Sequence, residues 1–548
     1  MRQPSLRIGM AFGMLISLPF IALDYLGRQW AGLPFVPFDA FDWLARVLPG
    51  RVISFGIDAM VRLITLSGFG PIDTVAKGVE QALGVGIVVA VAAPFGGGMA
   101  LILRRTNWRG ELVGAGAGMA AFLFVSVVDV ELRAPISVHP VLGLLWLAFV
   151  IVGWSTALGA WLGSRELGGN AEGGTEKVRR DRRDFILKVA GTSLGAAVAA
   201  WGLARLTEGA QRAVGASRDL SWLRGAIPGP GGGEASGTQI EPAAKLGSAA
   251  LRARVIPAPG TRPELTPTAD FYRIDIDTLP PVIEEDSWAL KVSGLFDRPH
   301  RLTFSDLLAF PVVTQPITLC CISNPVGGDL IGTSNWTGVP LPVVLRSLGL
   351  RPEAKALSIK SADGFYEMVT LEDMLDPRTL LVYAMNGKTL PVDHGFPLRI
   401  YIPNRYGMKQ PKWIISIEAV DHPGLGYWED RGWSAEARPQ TISIIDTVAK
   451  DHIENGRLPI GGIAWAGDRG IQKVEVQVDA RAWAAAVLRT PPLGPLTWVI
   501  WRYDWAVMPG RHAFLVRATD GTGALQIAAP HGSYPDGATG YDSVTVTV

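Results

Sequence analysis

A membrane-embedded all-α bundle, then an α+β domain, then an all-β sandwich is the fold class predicted for this 548-residue chain. Three observations predict it. Long apolar runs crowd residues 1–206 and lift the mean hydropathy to +0.24. Residues 265–432 mix short apolar strands with short helical patterns. Residues 440–548 alternate apolar and polar at period two between Gly, Pro and Asp turns.

A hydrocarbon core takes about 20 apolar residues per helix. Runs at 8–27, 82–103, 111–128, 141–163 and 185–206 satisfy this, which predicts about five spans. Residues 52–69 carry Asp58 and Arg62 one turn apart and read as an interfacial amphipathic helix; a span there would reverse the parity. Arg2 and Arg7, then Arg104, Arg105 and Arg109, then Arg165, Lys177, Arg179, Arg180, Arg182, Arg183 and Lys188 fall on one side of a five-span chain. That side is expected to be cytoplasmic. The run "DRRDFILK", with Arg182 and Arg183 before Phe185 and Lys188, resembles a twin-arginine export signal placed internally at 182–206. The alternative is a plain positive-inside stop. With the signal in use, everything after residue 206 is extracytoplasmic.

Residues 207–264 are Gly/Pro-rich and read as a flexible linker. In 265–432, "WALKVSG", "PITLCCIS", "PLRIYIP" and "KWIISIEAV" read as strands. Ser305 is the expected N-cap of a short helix, Gly349 a helix stop, and Asn386-Gly387 a hairpin turn. The alternating strands of 440–548 suit an immunoglobulin-like sandwich of dimerisation type, without the disulfide of antibody domains.

A net charge of +1 supplies no basic field for nucleic acid. No P-loop, no G-x-G-x-x-G after a strand and no zinc-spaced His/Cys set occurs. The two cysteines, Cys320 and Cys321, are neighbours on a strand and so point to opposite faces. One should face a core and one a cleft. A cleft thiol can be a nucleophile, a metal ligand or filler.

The order of motifs narrows this. "CISN" followed by "GGDLIGTSNWTGVPL", then "DHGFPLRIYIPNRYGMKQPKW", and later "GIAWAGDRGIQKVEVQVD", resembles the sulfite oxidase family of molybdopterin enzymes across 265–548. The resemblance implies a molybdenum-molybdopterin cofactor and a sulfite-oxidase-like α+β domain. Its metal-binding Cys falls on Cys321, with Cys320 left to the core. Its pterin-binding positions fall on His394, Arg399 and Lys412, with Lys409 and Arg405 on the same loop. Tyr272 and Arg273 match the segment that grips the pterin, Arg273 also as a catalytic cation, and Asp363 is a candidate partner for the ring. Asn324 is expected to orient the ligand strand, and Gly327 and Gly328 to let the chain pass close to the cofactor.

Sulfite-oxidising members follow Cys-x-x-Asn with two arginines, where this chain has Pro325 and Val326. A doubly charged anion without that compensation binds poorly. The expected reaction is therefore oxo transfer on an S-oxide, an N-oxide or an organic sulfur compound, with sulfite dehydrogenase and a non-catalytic scaffold as alternatives. No C-x-x-C-H occurs, and the membrane half holds one histidine, His139. Haem in this chain is not expected, so electrons are assigned to a separate redox partner. A homodimer is possible through the C-terminal domain.

Overall fold

A computed structural model describes residues 5–132, 140–163, 191, 195 and 255–548. The apolar run at 185–206, the twin-arginine stretch, His139 and residues 207–254 lie outside the described residues. By its contacts the chain divides into two compact units.

The first unit comprises Met1–Leu48, Lys77–Arg218 and Asp275–Val282. Among the described residues the six long helices are α1 (Leu6–Ala31), α2 (Val36–Val47), α3 (Gly50–Ser67), α4 (Ile72–Arg105), α5 (Gly110–Leu132) and α6 (Pro140–Gly163). Four of them, α1, α4, α5 and α6, contain stretches long and apolar enough to cross a membrane. Ser5 caps α1 by accepting the Ile8 N–H at 3.2 Å. Where α5 meets α6, a side chain on Gly114 would collide with the Ser155 and Thr156 backbone. Small residues are what let two helices in lipid approach this closely. Phe20, Phe35, Leu147 and Ile151 fill the bundle core. Residues 275–282 are fastened to this unit by polar contacts: Arg46 to Asp277 at 2.8 Å, Lys77 to Asp275 at 3.1 Å, and Asp42 to the Thr278 hydroxyl at 2.7 Å.

The second unit comprises Pro49–Ala76, Asp219–Ile274 and Ile283–Val548. It therefore takes in α3 and the first turn of α4, which the sequence had grouped with the membrane half. The reason is burial: Val61, Ile64, Ile72 and Ala76 join Phe271, Tyr272, Ile317, Leu319 and Cys321 in one core. The expected flexible linker also ends early. From Val255 the chain lies along this unit, with Ala258 buried and Arg262 paired with Asp446 at 2.7 Å.

Strands β1 (Ala289–Gly294), β2 (His300–Thr303), β3 (Val313–Cys320), β4 (Ile331–Pro340), β5 (Ala356–Ser361), β6 (Tyr366–Thr370), β7 (Leu380–Met385), β8 (Lys388–Thr389), β9 (Arg399–Tyr401) and β10 (Ile414–Val420) form two sheets. One runs β2-β1-β10-β5-β6, with β1 and β10 parallel. The other runs β3-β4-β7-β8, with β9 also on β7. Asn386 and Gly387 turn the β7–β8 hairpin with φ of 50° and 76°, as that dipeptide allows. The helix Phe304–Leu308 is capped by Thr303, not Ser305. The Thr303 hydroxyl accepts the Asp306 N–H while the Asp306 carboxylate accepts the Thr303 N–H, a reciprocal box unavailable two residues later, where Leu308 would stand in place of Asp306.

Strands β11 (Ile442–Val448), β12 (Arg457–Trp465), β13 (Ile471–Val478), β14 (Ala484–Ala485), β15 (Val487–Leu488), β16 (Val499–Ala506), β17 (Arg511–Asp520) and β18 (Asp542–Thr547) make two further sheets. Their orders are β11-β12-β16-β15 and β14-β13-β17-β18. Leu458, Ile460 and Trp501 of one meet Val474, Val476 and Phe514 of the other in a shared core, so the C-terminal region is a two-sheet sandwich.

Candidate active site

The site is built around the end of β3. Cys320 is its last residue and Cys321 the first beyond it. The alternation of the strand sends the two sulfurs into different cores. Cys320 packs with Tyr406, Trp433, Ile444 and Trp498, whereas Cys321 packs with Phe271, Tyr272 and Trp336. The Cys321 N–H donates to Leu330 O at 2.9 Å, and Asn324 closes the loop. Its N–H donates to Cys321 O at 3.1 Å, and its side-chain oxygen accepts the Leu330 N–H at 2.9 Å. Asn324 thus ties the residue after β3 to the residue that precedes β4.

The Cys321 sulfur lies 3.0 Å from the Ser323 hydroxyl. Burial pushes its pKa up, while Ser323 and the charge of Lys412 pull against that. A thiol held this way is no activated nucleophile. It becomes a thiolate on binding a metal cation, which deprotonates it outright.

Beside it stands a group of cations with few anions. Arg399 opens β9 and is buried. Its Nη1 donates to His394 O at 3.1 Å, and its guanidinium lies 4.8 Å from the centre of the Trp336 ring. Among the described residues no carboxylate pairs with it. Burial lowers its pKa to about 10. His394 ends a short turn of 3-10 helix and is buried against Phe271. Burial first, then the charges of Lys412 and Arg399, drive its pKa down to about 3, so the ring is neutral. Gly395, at φ 111°, makes this possible. A side chain there would press on Cβ of both Arg399 and Lys412, 3.1 Å away. Lys412 donates to Asp393 O at 3.1 Å and lies over the Trp413 ring. Arg273 sits 3.4 Å from Asp393, and its N–H donates to Asp73 at 2.8 Å.

Tyr272 shares the core of Cys321. Its hydroxyl is buried and has no hydrogen-bond partner among the described residues. It lies next to the Cys321 backbone across Gly407, where an added Cβ would be 3.2 Å from the hydroxyl and 3.8 Å from Cys321 Cα. Burial, then the neighbouring Cys321, keeps the phenol neutral.

A buried guanidinium with no carboxylate and an orphaned buried hydroxyl are costly to leave so. An anionic ligand with hydrogen-bonding edges relieves both, and a soft thiolate beside it suits a transition metal. These residues fit a metal-bearing pterin with a phosphate tail: Cys321 for the metal, and Arg399, His394, Lys412 and Tyr272 for the organic part.

Other expected residues are employed elsewhere. Lys409 is buried with its ammonium on Glu367, at 2.7 Å, and on Glu429. It closes an internal ion triad and is not brought to the cation group. Arg405 forks onto Asp373 at 3.0 Å and bonds Glu436 O. Asp363 accepts the Phe365 N–H at 3.0 Å, holding its own turn. The glycines after Asn324 serve protein packing. A side chain on Gly327 would strike Asp542, and one on Gly328 would strike Asn324. The part that Trp336, Gly407 and residues 57–76 play around Cys321 was missed in the sequence. Trp336 had a signal of a kind: an aromatic in the motif "SNW" two strands from a conspicuous arginine.

Comparison with known proteins agrees with this geometry. The oxidoreductase molybdopterin binding domain family matches residues 277–428. A putative protein-methionine-sulfoxide reductase subunit, YedZ1, of Azospira oryzae is 36% identical over 153 residues, 28% of this chain and 56% of that protein. The uncharacterized oxidoreductase YuiH of Bacillus subtilis is 30% identical over 177 residues, 32% of this chain and 87% of that one. Arabidopsis thaliana sulfite oxidase is 28% identical over 275 residues, 40% and 70% of the two chains. The solved sulfane dehydrogenase SoxCD of Paracoccus pantotrophus has a TM-score of 0.46 at 23% identity, over 52% of this chain and 82% of that one. The protein is a molybdopterin-dependent oxidoreductase. It belongs to the sulfite oxidase family, and it carries in addition a helical region with four candidate membrane spans.

Proposed function

We propose that this protein is a multi-pass membrane enzyme that moves an oxo group on an extracytoplasmic S-oxide, N-oxide or organic sulfur compound. The observation that carries the reading is geometric: Cys321 and Tyr272 share one buried core with Trp336, whose ring centre lies 4.8 Å from the Arg399 guanidinium. When bound, the molybdenum-molybdopterin group supplies two-electron oxo chemistry. The chain's residues hold and insulate it. Cys321 supplies the thiolate, Arg399 and Lys412 neutralise the phosphate, and neutral His394 offers a ring nitrogen. Tyr272, whose phenol burial keeps protonated, would offer its hydroxyl as a hydrogen-bond donor, and Arg273 would add a further cation. For a sulfoxide the balance is simple: two electrons and two protons convert it to the sulfide and water.

Sulfite is the less suitable substrate. Pro325 and Val326 line a small cavity with Cys320 and Tyr406, on the other side of the strand from Cys321, and bring no cation. Arg273 is partly neutralised by Asp393. The name of the Azospira relative points the same way, toward methionine sulfoxide.

The extracytoplasmic placement has support from parity. Residues 49–76 pack in one unit with residues 255–274 and 283–548, so both occupy one side of a membrane. Three candidate spans, in α4, α5 and α6, lie between them and would leave them on opposite sides. One more crossing between residues 164 and 254 restores agreement, and the apolar run at 185–206 can supply it. Electrons come from a separate redox partner, and the sandwich, read as immunoglobulin-like, is the proposed homodimer surface.

The test is metal analysis and turnover of purified full-length protein. About one molybdenum per chain, lost in Cys321→Ser, is expected. Reduced viologen should be oxidised by methionine sulfoxide or an N-oxide. Dye reduction by sulfite, with none of the others active, selects sulfite dehydrogenase instead. Folded protein free of metal from a molybdenum-replete host overturns the reading.

A further inference from the structure

We infer that α3 seats the oxidoreductase unit on the bilayer, one face in lipid and the opposite face forming a wall of the cysteine's core. An amphipathic surface helix has one apolar stripe. This helix has two. At 3.6 residues per turn, Ile57, Met60, Val61 and Ile64 share one side, and all four pack into the core that holds Tyr272 and Cys321. Val52, Phe55, Leu63 and Leu66 share the opposite side, where they stand exposed, Phe55 by 75% and Leu66 by 84%. Gly68 then ends the helix in the left-handed region at φ 63°, and Phe69 follows, 85% exposed. The charged residues Arg51, Asp58 and Arg62 occupy the flank between the stripes, with Asp58 and Arg62 paired at 2.8 Å.

Single exposed apolar residues are ordinary, but a continuous stripe with two phenyl rings marks a surface that is covered. Continuity of the chain says by what. α3 lies between two candidate spans in the chain, and α4 begins at Ile72, four residues after Gly68. Ile72 and Ala76, the first turn of that spanning helix, share the core with Cys321. The outer stripe is therefore held where the chain enters the hydrocarbon, and an apolar face with a charged flank is the pattern of a helix lying in the interface. The Cys321 core then sits about one helix diameter, roughly 10 Å, from the lipid. The inference rests on the membrane reading given above, and the experiment separates the two.

Benzoylphenylalanine is placed singly at positions 55, 63 and 66 of the full chain in native membranes. Val91, exposed on α4, and Asn455, in an exposed turn of the sandwich, are the controls. After illumination, the expected result is lipid adducts by mass at 55, 63 and 66 as at 91, several-fold above 455. No adduct at 91 overturns the membrane reading itself. Adducts at 91 without adducts at 55, 63 and 66 overturn the inference alone. Crosslinks from 55 or 66 to a polypeptide, another copy included, also overturn it, by showing that protein covers the stripe.

Discussion

Arg399 is the residue on which the site's energetics turn. It is a buried cation facing an aromatic ring, and among the described residues its hydrogen-bond partner is the His394 carbonyl. Replacing it with Met removes an uncompensated charge. The melting temperature of cofactor-free Arg399→Met should therefore equal or exceed that of the parent, while cofactor retention after gel filtration should collapse. A loss of stability in the cofactor-free state would show that an anion of the protein already answers this charge. His394 makes a second case. Its pKa is about 3 in the fold against 6.5 outside it. A depressed base contributes stability that is complete above pH 6.5 and is lost as pH falls toward 3. Thermal melts of cofactor-free protein from pH 7 to pH 4 should decline less steeply in His394→Gln. Cofactor loading should raise the histidine's pKa, because a phosphate adds negative charge beside it. At this scale the motif order singled out Cys321, His394, Arg399 and Lys412. Lys409 looked equivalent in sequence, yet its ammonium belongs to Glu367 and Glu429, more than thirty residues away along the chain in one case. Partners at that distance leave no local mark.

At the scale of elements, α3 shows how a single periodicity can hide two interfaces. The stretch 52–69 reads as one amphipathic helix because its few charges fall on a flank. The structure divides its apolar residues between the protein core and the exterior. Ile64→Ala should destabilise the sheet-rich unit by about 2–4 kcal/mol, the usual cost of a cavity. Leu66→Ala, on the opposite stripe, should leave the melting temperature nearly unchanged in detergent. Equal effects at the two positions would refute the two-faced assignment. The strands were more legible: β1, β9, β10, β13, β16, β17 and β18 all fall where alternation and turn residues placed them. Strand faces repeat every two residues, so pattern and burial agree. The Thr303 cap was missed because Ser305 and Thr303 are both good caps, and only the reciprocal Asp306 bond decides between them.

For the whole molecule, sidedness is the open test. A protease site inserted after Phe69 and another at Asn455 should be cut together in spheroplasts and not from the cytoplasmic side. Cleavage of one without the other would break the parity argument. Arg182→Lys with Arg183→Lys should leave the first four spans inserted but the site at 455 inaccessible from outside, if the internal export signal is used. Unchanged accessibility would assign those arginines to a simple positive-inside stop.

By itself the sequence determined the apolar helical region with its candidate spans, the sheet-rich region that follows it, the opposed faces of Cys320 and Cys321, and the family. Each follows from composition, period or motif order, which are properties of neighbours along the chain. Only the tertiary structure decided that, among the described residues, Arg399 lacks a carboxylate while Lys409 has two and Tyr272 has an orphaned hydroxyl near the Cys321 backbone, and that residues 49–76 belong with the oxidoreductase unit. Those facts depend on burial and on pairings across tens to hundreds of residues, which the packing of the whole unit alone specifies.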